Sequence, residues 1–491
     1  MKRNFFLAAY IFFNGAAGLT TSLAQSSARP NVIFIYTDDQ RYDALSVVQK
    51  EQNKEARFPW FKTPNLDRLA AEGVRFRNSF VTNSLCSPSR SAFLTGKYNH
   101  LNGIANNHTP LADTTVTYAT ELKKNGYKTG FFGKWHMGRQ SGKRPGFDES
   151  ASFLGQGQYL DCPLEINGKT TSTKGWVDDV TTDYALEFIR KNNQTPFALA
   201  LAFKSGHGPW QPAQRHASDF SDVYLTKPAT EQDLPPYLGK IDVGNKNNNP
   251  NVQRKINNSW TENNDEKVRN YFRCLAGVDD NVGRVLNLLD SLHLAENTIV
   301  IFTSDNGFFL GEHGIGDKRA AYEESIRTPL LVRYPKALPK GKLEDKLVLN
   351  LDIAPTILDA AGIKAPETFQ GKSLIVLETG KVKDWRTSFL YEYFYETNFA
   401  LPTIEAVRTE TAKLIKYPGQ EDWAELYDLT QDPYETNNLH NTPAGAALRK
   451  SLEAELKKQK EAVNYSIPAY ADKRPLDENG KYIPPKPKVT L

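Results

Sequence analysis

Asn31-Val32-Ile33-Phe34-Ile35-Tyr36-Thr37-Asp38-Asp39 is the stretch that decides the fold. Its first six residues are a largely apolar run of strand length, the pattern of a strand covered on both faces, and the run ends on two adjacent carboxylates. Thr298-Ile299-Val300-Ile301-Phe302-Thr303 repeats that character and runs into Asp305-Asn306. Helical signals lie between the two. In the stretch from Thr63 to Gly73, Thr63 is placed as an N-cap, Pro64 at the first helical position and Gly73 at the stop, with Leu66, Leu69 and Ala70 on one face. Tyr118 to Gly126, followed by a strand to Phe132, is another helix–strand pair, and Phe197 to Phe203 is a further apolar strand. This alternation predicts an α/β fold, with a mostly parallel sheet covered by helices.

Outward from that frame, the composition changes after about residue 370. Leu390 to Phe399 is aromatic and acidic, Val407 to Tyr417 reads as a two-stranded ribbon turning near Thr411, and Ala446 to Ala462 has helical spacing with Lys and Glu on its polar face. The expected division is a main domain over 25–370 and a smaller C-terminal α+β domain over 371–491, with an extended Pro/Lys-rich tail from Pro475. Asn245 to Asn264 reads as a surface insertion. Met1 to Ala24 has the parts of an export signal: Lys2 and Arg3, the apolar stretch Phe5 to Phe13, and Ser22-Leu23-Ala24 as a small-x-small cleavage site. A secreted or periplasmic protein is expected.

The chain has 491 residues, 39% of them hydrophobic and 24% charged, a globular composition that excludes a disordered or fibrous protein. Its net charge of +4 leaves no broad basic field, so nucleic acid is not an expected partner. Beyond the export signal no apolar run approaches the ~20 residues of a membrane span. Three cysteines, Cys86, Cys162 and Cys274, are too few for a disulfide scaffold. With Cys86 reserved for chemistry, Cys162 and Cys274 could pair.

The carboxylates at the two strand ends point to that chemistry. Strand C-termini line the ligand crevice of parallel α/β sheets. Asp38, Asp39, Asp305 and Asn306 would crowd three carboxylates and an amide oxygen there, and an all-oxygen set favours Ca²⁺, or Mg²⁺, over zinc. Either pair alone is the ordinary chemistry of a turn or helix cap. Cys86-Ser87-Pro88-Ser89-Arg90 shifts the balance: Ser87 and Pro88 read as the N-cap and first position of a short helix ending at Thr95-Gly96. That puts residue 86 just before a helix N-terminus, where an anion is favoured.

With these residues the sequence resembles the type I sulfatases. Their modification motif, Cys-x-Pro-Ser-Arg followed by a Thr-Gly-Lys/Arg turn, stands here as Cys86-Ser87-Pro88-Ser89-Arg90 and Thr95-Gly96-Lys97. The resemblance runs from Asn31 to about Leu439 and includes Thr37-Asp38-Asp39-Gln40, Gly133-Lys134-Trp135-His136, Ser304-Asp305-Asn306-Gly307, Gly311-Glu312-His313-Gly314 and Asp317-Lys318-Arg319. It implies that Cys86 is oxidised to formylglycine by a formylglycine-generating or anaerobic sulfatase-maturing enzyme. The hydrate would be the nucleophile, a transient sulfo-enzyme would form, and one hydroxyl would later expel the sulfate. It further implies a divalent cation on Asp38, Asp39, Asp305, Asn306 and residue 86, with Asp305 as candidate base and Arg90 holding the hydrate. Lys134 would contact the sulfate, and His136 would take the second hydroxyl's proton. His207 would protonate the leaving alcohol, and Lys318 would bridge sulfate and leaving oxygen. The segment Ser205-Gly206-His207 departs from the family pattern, in which Pro precedes the histidine.

Cys86 to Asn107 and Leu310 to Pro335 look most like glucosamine-6-sulfatases and bacterial polysaccharide sulfatases, which implies a sulfated oligo- or polysaccharide substrate. His313, Asn106, Asn107, the loop from Gly155 to Tyr159, Trp176 and the segment from Tyr391 to Tyr395, with Tyr393 and Tyr395 foremost, are candidates for a sugar subsite; their alternative is loop packing and core. Two other functions stay open at this point: phosphoester hydrolysis on the related alkaline-phosphatase-type fold, and a catalytically silent glycan-binding protein whose Cys86 is never converted.

Overall fold

The computed structural model describes residues 1, 29–238, 265–395 and 401–469. The export signal after Met1, the Asn245–Asn264 insertion, the tail from Pro475 and the last part of the 390–399 stretch lie outside the described residues.

Asn31–Thr37 forms the expected strand, and all seven of its residues are buried. Side chains alternate across a strand, so this one feeds two cores. Val32, Phe34 and Tyr36 pack with Phe93, Tyr118 and Ile357 on one face. Ile33 and Ile35 pack with Leu66, Leu69, Leu186 and Val282 on the other. The strand lies in a ten-stranded sheet in the order 342–344, 74–76, 330–333, 298–304, 31–37, 197–202, 128–134, 149–153, 164–166, 169–171. The five strands from 298–304 to 149–153 are mutually parallel, and antiparallel pairs flank them. The helices Tyr118–Lys124 and Ile353–Ala360 cover one face, and Pro64–Glu72, Val177–Asn192 and Asp265–Ser291 the other. The α/β expectation therefore holds. Among the described residues no helix is long and apolar enough to cross a membrane.

The helix at Pro64–Glu72 buries Leu66, Leu69 and Ala70 as its spacing predicts, but its ends are built differently. The Thr63 hydroxyl makes no cap; it accepts from the Ser46 amide (2.9 Å). The free amides of Asn65 and Leu66 instead donate to Asp279 on the long helix Asp265–Ser291 (3.1 and 2.8 Å). Gly73 is extended rather than left-handed. It is needed because a Cβ there would stand 2.3 Å from the Val332 carbonyl oxygen on the neighbouring strand.

A separate four-stranded antiparallel sheet, Ser388–Tyr393, Ile404–Thr409, Ala412–Lys416 and Glu425–Asp428, forms the smaller C-terminal unit with the helix Ala446–Ala462. The ribbon turns between Thr409 and Ala412, as read from the sequence. This sheet shares its apolar core with Phe80, Leu85, Phe309 and Tyr322 of the main unit.

Candidate active site

The loops leaving four neighbouring parallel strands build one buried pocket. Thr37 is in register with Ser304 and Gly133 with Ala202, and the ladder continues past the strand ends through Asp305 N to Thr37 O (3.0 Å) and Asp38 N to Ser205 O (2.9 Å). Asp38, Asp39, Asp305 and Asn306 are consequently held side by side and fully buried. One oxygen from each of Asp38, Asp39 and Asp305 lies within 4.8 Å of the others. Asn306 Nδ2 donates to Asp39 Oδ1 (2.6 Å), while its Oδ1 has no hydrogen-bond partner among the described residues. Three carboxylates and an unsatisfied amide oxygen fit a hard divalent cation.

Cys86 opens the helix Cys86–Thr95, every residue of which is buried. The helix starts two residues earlier than the sequence suggests: Leu85 is the cap and Cys86 the first helical residue, so Ser87 does not cap it. Ser87 N donates to Asn107 Oδ1 (2.9 Å) and the Ser87 hydroxyl to the His136 carbonyl. Cys86 Sγ lies 3.5 Å from Asp38 Oδ1 and 3.9 Å from Lys134 Nζ. One turn on, Arg90 donates to Asp38 Oδ2 (3.0 Å), Asp305 Oδ2 (2.7 Å) and the Lys134 carbonyl, with its guanidinium 5.0 Å over the Tyr36 ring. Lys134 pairs with Asp38, and Lys318 with Asp39. His207 Nδ1 lies 2.6 Å from the Gly208 carbonyl, which can only accept, so Nδ1 carries the hydrogen and Nε2 is free for chemistry. A ring nitrogen of His207, a carboxylate oxygen of Asp38 and Cys86 Sγ lie within 4.8 Å of one another. His136 Nδ1 is buried without a partner among the described residues.

Burial opposes every charge in this pocket, and the outcome depends on partners. Burial alone would raise Asp38, yet Lys134 and Arg90 hold its carboxyl well below the usual range. Burial raises Asp39 to about 7 against the pull of Lys318, with Asp38 and Asp305 adding to the rise. Burial and Asp38 together raise Asp305. Three carboxylates at this spacing do not ionise freely without a cation. Burial, reinforced by Asp38, pushes the Cys86 thiol up to about 12. Burial and Lys134 lower both His136 and His207 well below the ordinary imidazole value.

The sequence profile of the Sulfatase family matches residues 30–363, about two thirds of the chain. The chain belongs to the sulfatase family. A second profile, N-sulphoglucosamine sulphohydrolase, C-terminal, matches residues 311–462. This sulfatase is 32% identical over 491 residues to an N-acetylglucosamine-6-O-sulfatase of Bacteroides thetaiotaomicron, covering 87% of this chain and 86% of the relative. It is 28% identical over 463 residues to an ulvan-active sulfatase of Formosa agariphila, covering 90% and 83%. A solved structure described as a complex with its substrate D-glucosamine-2-N,6-O-disulfate superposes with a TM-score of 0.77 at 32% identity, covering 89% of this chain and 98% of that one.

The sulfatase thus brings Asp38, Asp39, Cys86, Arg90, Lys134, His207, Asp305, Asn306 and Lys318 into one network of contacts, with His136 joined to it through its neighbour Lys134 and through Ser87. The sugar-subsite candidates fare differently. Tyr393 is fully buried in the C-terminal core, and Tyr395, half-buried, packs at its edge. Trp176 is buried against Tyr159, with its indole N–H on the Gln211 carbonyl (2.9 Å). Trp176 and Tyr393 thus serve packing, whereas Tyr395 keeps part of its surface open at the edge of that core. Asn106 shapes a turn through the amides of His108 and Thr109 (2.8 and 3.1 Å), and Asn107 satisfies the Cys86 helix. His313 is buried, stacked on Tyr322 and bonded through Nδ1 to the Asp233 carbonyl (3.1 Å), while its Nε2 has no hydrogen-bond partner among the described residues. Cys162 and Cys274 are buried free thiols, so the possible disulfide is absent.

One residue escapes the sequence reading, and a second, Tyr159 of the loop expected to line a sugar subsite, holds a contact that reading did not foresee. Lys204, at the end of the 197–202 strand, is buried with Nζ on the Gln156 carbonyl (2.9 Å) and 4.7 Å over the Tyr159 ring. Burial, with Lys134 adding, lowers it to about 8. Tyr159 donates to the His207 carbonyl (2.6 Å). A lysine directly after a wholly apolar strand was the available signal for the first; the second depends on a contact 48 residues away in sequence.

Proposed function

We propose that this sulfatase hydrolyses the sulfate esters of a sulfated glycan, using a formylglycine hydrate formed from Cys86 and a divalent cation held by Asp38, Asp39, Asp305 and Asn306. The single observation that carries the reading is the setting of Cys86. Its Sγ is fully buried 3.5 Å from Asp38 Oδ1 and 3.9 Å from Lys134 Nζ, at the first position of a buried helix beside the cluster of carboxylates, and burial pushes the thiol up to about 12. A residue that reacts only after oxidation accounts for that placement. The names of the relatives support a glycan substrate, and 6-O-sulfated glucosamine is the first sugar to test.

When present, the cation would offset the charge of the sulfate oxygens and acidify the neighbouring hydroxyl, and the hydrate would supply the attacking oxygen and the hydroxyl that later expels sulfate. The remaining work belongs to the side chains. Arg90, fixed by two carboxylates and a carbonyl, orients the hydroxyls at residue 86. Lys134 and Lys318 bind the sulfate from two sides. His207, with Nδ1 committed to Gly208, presents Nε2 to the leaving alcohol. Its lowered pKa makes it a strong acid once the arriving anion has favoured its protonation. His136, neutral and with Nδ1 unpartnered, is suited to accept the hydroxyl proton that accompanies sulfate release. The N-terminal signal motif supports export to the periplasm or the medium, where glycans are met.

Mass spectrometry of the peptide containing residue 86 tests the reading, because replacing CH₂SH by CHO lowers the mass by about 18 Da. The same preparation is then assayed for desulfation of defined sulfated mono- and disaccharides. Full activity with an unconverted thiol would refute the nucleophile, and sugar binding without turnover would identify a silent homologue.

A further inference from the structure

Lys318 reaches the pocket from an irregular segment between the short strand Gly316–Asp317 and the short helix Glu323–Ile326. The residues that follow it are held by polar side chains of the C-terminal sheet. Tyr391 donates its hydroxyl hydrogen to the Arg319 carbonyl and accepts from Ser84 N (3.4 Å). Lys413 donates to the Ala321 carbonyl (2.8 Å) and pairs with Glu323 (2.9 Å) and Glu435 (2.6 Å). Tyr322 donates to Glu425 (2.7 Å). Tyr391, Tyr322 and Lys413 are all fully buried. One hydroxyl therefore touches the residue after Lys318 and the residue two before Cys86.

We propose that Tyr391 is a positioning residue for desulfation, tying the C-terminal sheet to the two segments that carry Cys86 and Lys318 and so fixing the Lys318 ammonium in the pocket. The inference rests on the reading of Lys318 as a group that contacts the sulfate and its leaving oxygen. A sheet that only buried apolar surface would need no hydroxyl at this point. Here the tyrosine ring packs in the shared core while its oxygen serves backbone groups on both sides of the pocket. At a reacting centre a displacement of about 1 Å is enough to cost roughly a hundredfold in rate.

Tyr391→Phe removes the hydroxyl and keeps the ring. The variant is compared with wild type and Lys318→Ala on phenyl sulfate and 4-nitrophenyl sulfate, with residue 86 checked by mass spectrometry in each preparation. We expect kcat/KM for phenyl sulfate, the poorer leaving group, to fall roughly tenfold or more and that for 4-nitrophenyl sulfate to fall much less, the same selectivity as in Lys318→Ala. In a Lys318→Ala background the added change should cost less than about twofold. Equal losses on the two esters, or a full loss retained in that background, would overturn the proposal. Wild-type kinetics in Lys318→Ala would sink the reading of Lys318 together with this inference. An impaired Lys318→Ala beside an unimpaired Tyr391→Phe would sink this inference alone. If Tyr391→Phe does not fold, Tyr322→Phe, which breaks the neighbouring tie to Glu425, is put through the same comparison.

Discussion

Gly133 lies in register with Ala202 where two strands of the pocket leave no room for a side chain, and replacing it with alanine should damage stability and catalysis together. Its φ is +106°, and a Cβ built there would stand 1.9 Å from the Ala202 carbonyl oxygen. Ordinary contact begins near 3.4 Å, so the strands would have to part by roughly 1.5 Å at that register. One of these strands ends on Lys134 and leads to His136, and the other leads to Lys204 and His207. The strained φ costs about 1–3 kcal/mol, and a weakened ladder bond adds about 1 kcal/mol, giving about 3 kcal/mol in all. A separation of this size at the reacting groups should lower kcat/KM about a hundredfold. Gly142→Ala is the control: its φ of +90° imposes similar backbone strain, but nothing stands within 4 Å of the added methyl. It should cost about 1–2 kcal/mol and leave kcat/KM unchanged. Chemical denaturation gives the stability of each variant, and kcat/KM on an aryl sulfate, corrected for conversion of residue 86, gives the chemistry. A folded Gly133→Ala enzyme with wild-type kcat/KM would refute the reasoning that this approach sets the pocket.

Three further outcomes follow from the same geometry. His207→Ala should reduce turnover of a sugar sulfate by about 10²–10⁴-fold and that of 4-nitrophenyl sulfate far less, since only the poor leaving group needs a proton; equal losses would argue against an acid role. Asp305→Ala should abolish activity that a chelator removes from wild type and Ca²⁺ restores, and calorimetry with inorganic sulfate should show binding only to the metal-loaded wild type; full activity in Asp305→Ala would remove the cation assignment. His100 lies 2.6 Å from Glu392 and 3.0 Å from the Val463 carbonyl, and although burial opposes its charge, Glu392 raises its pKa above 6.5. Its contribution is therefore complete below about pH 6.5 and is lost as pH rises through the raised value, so the stability gap between wild type and His100→Gln, about 2 kcal/mol at pH 6, should narrow toward pH 9; a gap independent of pH would contradict the ion pair.

The sequence is legible where one residue type has one physical use. The 31–37 strand is apolar at nearly every position, which only burial on both faces explains, and its carboxylate end then falls on the ligand edge of a parallel sheet. Local patterns are less reliable where a tertiary partner competes. Thr63 has the right side chain to cap Pro64–Glu72, but Asp279 from a helix more than two hundred residues away takes that role. Gly73 has the right identity for a left-handed stop, yet it is used for close approach to Val332. Aromatic residues are the most ambiguous in sequence. Trp176, Tyr393 and Tyr395 resemble sugar platforms in sequence, but the same rings are also the largest apolar groups available to a core.

The pocket's own charges give the strongest physical reason why a cation would fit among its carboxylates. Three buried carboxylates face three buried cations: Asp38 is taken by Lys134 and Arg90, Asp305 by Arg90, and Asp39 by Lys318. With every cation paired to a carboxylate, little field remains for an arriving anion, and a buried ion pair of this kind does not by itself stabilise the fold. Burial nevertheless raises Asp39 and Asp305, while Lys134 and Arg90 hold Asp38 low against the same burial, so the set is not at rest as a closed salt-bridge network. A divalent cation among the carboxylates resolves both problems. It would satisfy the orphaned Asn306 oxygen, keep all three acids ionised, and release the ammonium groups of Lys134 and Lys318 toward the sulfate. On the proposed reading the lysines would then be free to act on the substrate, because the acids beside them would have a stronger partner, and the cation and the sulfate would meet around Asp38 and Asp39.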